Sequence, residues 1–261
     1  RISMPPEKDW RAPPDEAGDD ALQYSDIAIG YLGRNARYRS DYRRALGRVK
    51  RGAISADDAT AALVDRWGIS YHAAPGAAFD RKLAGARPDL SPASIIVAPA
   101  VAGIGAGPLD MAALGDIRAR IRMGDVLHVI LADPDGDEHL CVCGSCHDPM
   151  ALVVPIEPAP FARLASAERL CRRLSGMAAG PPALRPPPFR REHLLTLLQV
   201  LDGRRAGASQ RELAASLIHP KVRHYTPTEW TDSAERKCIR RWLKEAVELR
   251  DGGYIRLLRG G

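Results

Sequence analysis

The order of residues predicts an α+β chain. A helical N-terminal domain comes first, then a small antiparallel β-rich middle domain, then a C-terminal unit of three helices closed by a hairpin. Three observations carry that prediction. Apolar residues recur at helical spacing between about residues 21 and 67, and again from 189 to 249. From residue 93 the period changes to short β-branched runs separated by Gly, Pro and Asp. A stretch with five prolines, "AAGPPALRPPPF" (178–189), then breaks the pattern and reads as a stiff linker. The expected boundaries are 4–70, 71–177, 178–189 and 190–261.

The N-terminal elements follow from local signals. The three residues ahead of Met4 are set aside, and residues 4–20, rich in Pro, Asp and Glu, read as an irregular arm. Two helical patterns follow near 21–33 and 35–51, with Tyr24, Tyr31, Tyr38 and Tyr42 set among arginines. Ser55 and Asp58 make a capping box that opens a third helix, "SADDATAALVDRW", with Gly68 as its stop. The two patterns together present a Tyr/Arg face of Tyr31, Arg34, Tyr38, Arg39 and Tyr42. Tyrosine and arginine are enriched at protein interfaces, whereas an arm that touches only phosphates needs no aromatics. The face is therefore expected to be a subunit contact, with a second DNA contact as the alternative.

In the middle, "SIIVAP", "DVLHVILAD", "HLCVCG" and "ALVVPI" read as strands, and "ADPDGDEH" as a hairpin with Asp135-Gly136 at its turn. "PFARLASAERLCRRLSG" returns to helical period and stops at Gly176. Four pieces of apparent chemistry lie here, and none argues for an enzyme. Cys141, Cys143, Cys146 and His147 offer zinc donors, but they are crowded into one short stretch with no second Cys/His pair at a standard spacing. A buried strand using cysteine as a small apolar residue is the simpler account, so no metal is expected. A catalytic thiol needs a base brought close by the fold, from His139, His147, His128 or His72. "DPDGD" starts like a calcium loop but has Gly144 where the twelfth-position Glu belongs. "GIGAGP" lacks the Lys-Ser/Thr of a phosphate loop.

The C-terminal unit is more specific. "FRREHLLTLLQVLDG" (189–203) is an amphipathic helix with Leu194, Leu195, Leu198 and Leu201 on one side. "AGASQRELAASLIHP" (206–220) holds a second, short helix, opened by a Ser209/Glu212 capping box and stopped at Pro220. "TDSAERKCIRRWLKEAVEL" (231–249) is a longer third helix. It has Ile239, Trp242, Leu243 and Ala246 on its apolar side and Arg236, Lys237, Arg240, Arg241 and Lys244 on its open side. "RDGGYIRLLRG" supplies a Gly-Gly hairpin turn and a strand. Helix, turn, capped helix, long basic helix and hairpin make the order of a winged helix-turn-helix. In that arrangement the third helix enters a major groove. Arg236, Lys237 and Arg240 are then placed for base edges, Arg241, Lys244 and Arg211 for phosphates, and Tyr254 and Arg256 form a bracing wing.

Charge supports a polyanionic partner. The chain is formally +6, residues 190–261 alone carry 15 Lys+Arg against 9 Asp+Glu, and residues 26–51 carry 8 basic and 2 acidic groups. Arginine outnumbers lysine 32 to 6, which fits genomic base composition better than function. The most apolar run, residues 93–109, contains two prolines and three glycines, which argues against a membrane span. An odd number of cysteines, five, and a polar, proline-rich segment after Met4 suggest a cytoplasmic protein without an export signal.

"LLTLLQVLDGRRAGASQRELAASL…IRRWLKEAVELRDGGYIRLLRG" resembles the C-terminal domain of the RovC-type bacterial transcription activators. Relatives of that domain include the frameshifted excision activators of integrative and conjugative elements. "DW…YLGRNARYRSDY" resembles the small proteobacterial transcriptional-regulator-like domain that accompanies it. The resemblance implies a DNA-binding activator of mobile-element or secretion genes, acting as a homo-oligomer on promoter DNA with RNA polymerase as a further partner and no cofactor. The other class of function is an interaction module, an antiactivator or assembly partner that keeps the helix-turn-helix shape without reading DNA. The stretch 218–230 has no match in the resemblance, and its path is open.

Overall fold

The computed structural model describes residues 9–12, 20–70, 85–158 and 160–261. Most of the N-terminal arm and the candidate base His72 lie outside these residues.

Three helices open the described chain: α1 (Tyr24–Arg34), α2 (Ala36–Lys50) and α3 (Ala56–Trp67). Asn35 separates the first two. Its Oδ1 accepts from the N–H groups of Arg37 and Tyr38 at 2.8 and 3.1 Å, while its Nδ2 donates 2.8 Å to the carbonyl of Arg250. Asparagine favours such a cap because its short side chain can satisfy free N–H groups at a helix start. Ser55 caps α3 as expected, accepting from Asp58 N–H at 3.0 Å. The Asp58 carboxylate takes the Ser55 hydroxyl instead of its backbone N–H. Gly68 ends α3 at φ +70°, and an added Cβ there would run into Leu90, so only glycine suits the turn.

The middle region is a five-stranded sheet of β1 (Ile95–Pro99), β2 (Ile117–Met123), β3 (Val126–Leu131), β4 (Glu138–Cys143) and β5 (Met150–Val153), in the order β2-β3-β4-β1-β5. The expected hairpin joins β3 to β4, with Leu131 opposite Glu138. The sheet is antiparallel apart from one parallel pair, β1 with β4. One face buries Ile95, Val97, Val129, Leu131, Leu140 and Val142 with Leu170 of α4 (Pro160–Leu174). Arginines fasten that helix down. Arg163, 1 % exposed, forks onto Glu157 and donates to the carbonyls of Ser94 and Pro88, and Arg173 reaches Asp133 at 2.8 Å.

The rest of the chain is helical: α5 (Pro188–Arg205), α6 (Gln210–Leu217), a 3₁₀ turn over Pro220–His224, α7 (Pro227–Asp232), α8 (Ala234–Glu248) and α9 (Tyr254–Leu258). Residues 218–230, whose path the sequence leaves open, are thus taken up by the 3₁₀ turn and most of α7, and α7 also takes Thr231 and Asp232 from the expected start of the third helix. The expected Gly-Gly hairpin and wing strand are not formed. Leu249–Gly253 makes a wide helical turn, and α9 folds back onto α1. Tyr254, Leu257 and Leu258 share one helical face, and all three are buried. A run as short as "YIRLL" fits either period; an available apolar partner, here α1, decides it.

The two ends of the chain share one core. Leu22, Ile27, Tyr31, Leu32, Tyr38 and Trp67 pack in the same buried cluster as Leu194, Leu198, Leu201, Leu213, Ile239, Leu257 and Leu258. Gly203 of α5 makes room for this, because an added Cβ would sit 2.5 Å from Leu213 Cδ2 and 2.9 Å from the Trp10 ring. The proline-rich stretch carries no regular element before Pro188, and it is fixed at Leu184, whose carbonyl accepts from Tyr24 N–H.

Candidate nucleic-acid interface

The long basic helix is positioned by its buried side. In α8, Ile239 and Ala246 are fully buried, and Trp242 and Leu243 pack against the same core. Ser233 caps the helix, accepting from Arg236 N–H at 3.1 Å. With that side fixed, Lys237, Arg240, Arg241 and Lys244 come out together on the exposed side. Among the described residues none of these four makes an ion pair.

The carboxylates of α8 are held away from that stripe. Glu235 accepts from the Tyr225 hydroxyl at 3.0 Å. Glu245 lies 3.3 Å from Arg190 and 3.0 Å from His193. Glu248 pairs with Arg256 at 2.8 Å. The stripe therefore presents four cations over about two helical turns, with the acids of its own helix engaged elsewhere. Such a surface attracts a polyanion.

The short helix before it has the expected start. Ser209 Oγ accepts from Glu212 N–H at 3.2 Å, and the Glu212 carboxylate accepts from Ser209 N–H at 2.8 Å. These backbone and hydroxyl donors hold Glu212 below the usual carboxylate range. Arg211, expected on phosphate, is spent inside the protein. Its guanidinium donates to the carbonyls of Val222, Arg223 and Tyr225, binding the 3₁₀ turn to α6. The Tyr225 hydroxyl ties the far end of that turn to Glu235, and Val222 is fully buried beneath it. The result is an exposed basic knob, Lys221, Arg223 and His224, beside the start of α8. Sequence reasoning missed these three residues. Their charge was visible, but nothing local said that the stretch would be pinned there.

Other expected contacts are corrected. Tyr254 is 3 % exposed, with its hydroxyl donating 3.1 Å to the Trp67 carbonyl, so it is a core residue and not part of a wing. Burial pushes its hydroxyl up to about 12. Arg236 remains at the start of α8, and its Nη1 donates 2.9 Å to the carbonyl of Thr231.

The Tyr/Arg face of the N-terminal helices is an interface within the chain. Tyr31 is fully buried, its hydroxyl donating 2.7 Å to the Leu194 carbonyl, and burial raises its pKa. Tyr38 stacks edge-on against Trp67 at 5.6 Å, and Tyr42 packs at the margin of the same core. Arg34 forks onto Asp202 of α5 at 2.8 and 2.6 Å. Arg39 reaches the Gly33 carbonyl, and burial with the nearby Arg205 lowers its pKa.

The four zinc donors weighed from the sequence are not brought together. Cys141 is buried in β4, Cys143 and Cys146 are partly buried, and His147 is exposed on the loop beyond. Among the described residues Cys141 instead converges with His128 and His139. Burial lowers the pKa of both histidines, that of His139 to about 3 with His128 contributing, and raises the Cys141 thiol to about 12. No described helix is long and apolar enough to cross a membrane.

Two family models match the chain. Residues 153–259 match the model described as "T6SS, Transcription factor, DNA binding domain". Residues 9–72 match the "Proteobacterial transcriptional regulator-like domain". The first match takes in α4 and every helix after it, including α8, and the second takes in α1–α3. No curated protein matches the chain. Together the two family matches support a DNA-binding transcriptional regulator.

Proposed function

We propose that this protein activates transcription of mobile-element or secretion genes by reading duplex promoter DNA with α8. It works as a homo-oligomer, with RNA polymerase as a further partner. The observation that carries the reading is the exposed stripe of Lys237, Arg240, Arg241 and Lys244, set on a helix whose opposite side is locked into the core. Arg236, Lys237 and Arg240 lie in the first two turns, where side chains in a major groove meet base edges. Arg241 and Lys244 suit phosphates, and Lys221, Arg223 and His224 flank the same end of the helix as further phosphate contacts. Cytoplasmic localisation follows from the same reading.

The test is recovery of genomic DNA on the purified protein, followed by binding of variants to the recovered site and to a scrambled duplex at two salt concentrations. Lys237→Ala or Arg240→Ala should cost about 1–3 kcal/mol on the selected site and narrow its advantage over the scrambled one. Arg241→Ala and Lys244→Ala should weaken both duplexes alike and reduce the salt slope by about one. If all three residues of the first two turns can be replaced by Ala without changing the ratio between duplexes, α8 does not read the groove. The interaction-module reading then takes its place.

A further inference from the structure

His128, His139 and Cys141 lie on the sheet face opposite the one that α4 covers. His128 of β3 stands directly across from Cys141 of β4, and His139 precedes Cys141 by two residues, which puts all three on one side. One donor atom from each lies within 4.8 Å of the others. The two imidazole centroids are 5.5 Å apart, and Cys141 Sγ is 3.5 Å from His128 Nδ1.

We infer that this triad is a zinc site, with two imidazoles and one thiolate from adjacent strands as ligands and water in the fourth position. An N and an S donor on a tetrahedral zinc stand about 3.6 Å apart, given Zn–N near 2.05 Å and Zn–S near 2.3 Å. The Cys141–His128 separation already matches that edge. The donor set contains no carboxylate, and nitrogen with sulfur is the chemistry that zinc prefers over magnesium or calcium. When zinc binds, the Cys141 S–H bond gives way to Zn–S and the proton leaves to solvent. Ser94 Oγ, 3.5 Å from His139 Nδ1, is in place to orient that ring. His139 also lines a cavity of about 30 Å³, room for one or two waters. The ligand set shares only Cys141 with the four donors weighed from the sequence, and its two histidines come from β3 and β4. It ties β3 to β4 where Gln23, just before α1, donates to the carbonyl of Asp137. Zinc here steadies the seam between the sheet and the helical body.

The full chain, purified without a histidine tag from zinc-supplemented medium, should carry about one zinc per chain by elemental analysis. After metal removal it should take up cobalt(II) with tetrahedral d–d bands and the charge-transfer band of a single thiolate. Both measurements use the unmodified protein, so they do not depend on a variant folding. Cys141→Ser should abolish the charge-transfer band, whereas Cys146→Ser and His147→Ala should leave zinc content and spectrum unchanged. Zinc below about a tenth per chain with no cobalt uptake overturns the site. So does a metal that survives Cys141→Ser but is lost with Cys146→Ser.

Discussion

Arg211 shows how one side chain's role depends on what folds against it. At the start of an amphipathic helix, an arginine has every appearance of a phosphate contact. In the folded chain it donates to three backbone carbonyls of the 218–226 stretch and holds the basic knob beside α8. Arg211→Ala should therefore cost about 1–3 kcal/mol of stability, in the range for hydrogen bonds from charged donors. Limited proteolysis at Lys221 and Arg223 should be faster, and any fall in the salt slope of DNA binding should come with that loosened knob and lost stability. A slope reduced by one with stability intact would return Arg211 to the phosphates. Arg34 and Tyr31 carry the same lesson. Their interface character was legible in the sequence, but the partner was not. Asp202 is 168 residues away from Arg34 in the chain, and no local pattern encodes that meeting. The Cys141 cluster is similar: the cysteines attract attention together in the sequence, while the strand register chooses His128.

At the scale of elements, the capped helices at Ser55 and Ser209 and the four apolar strands were legible, whereas α7, β2 and the last short run were not. Ser55 and Ser209 each begin a helix because a side-chain oxygen satisfies a free N–H, a signal contained within four residues. "IRARIRM", which forms β2, alternates as a strand should, but its three arginines give it a polar average that a search for apolar runs passes over. "YIRLL" is five residues long, too short for its period to decide between strand and helix, and α1 decides it. Tyr254→Phe separates the two roles that this segment has carried. As a core residue it should lose one buried hydrogen bond to Trp67, about 1 kcal/mol measured by urea unfolding, and keep the DNA salt dependence of the parent. A wing contact would show the reverse, with unchanged stability and weaker binding.

For the whole molecule, the decisive feature is that residues from both ends build one core. Regional patterns of composition divide the chain into a helical start, a sheet and a helical end, and the family models likewise match the ends separately. Packing joins them. α5 gives Leu194, Leu198 and Leu201 to a cluster completed by Leu22, Ile27, Tyr31 and Leu32, and α9 lies on α1. Residues 190–261 alone would expose these leucines to water. Truncating a single buried leucine to Ala costs about 2–5 kcal/mol, comparable with a good part of a domain's entire stability of about 5–15 kcal/mol. A fragment of residues 190–261 should then show helical far-ultraviolet dichroism without a cooperative thermal transition. It should bind the selected duplex more weakly than the full chain, because α8 is aligned only by what lies behind it. Adding a fragment of residues 4–70 should restore both the transition and the affinity, since the missing side of the core would return without a covalent link. Cooperative unfolding of 190–261 alone, with the affinity of the full chain, would mean that the DNA-reading unit stands by itself. The shared core would then be a docking contact between two domains, not the support of α8.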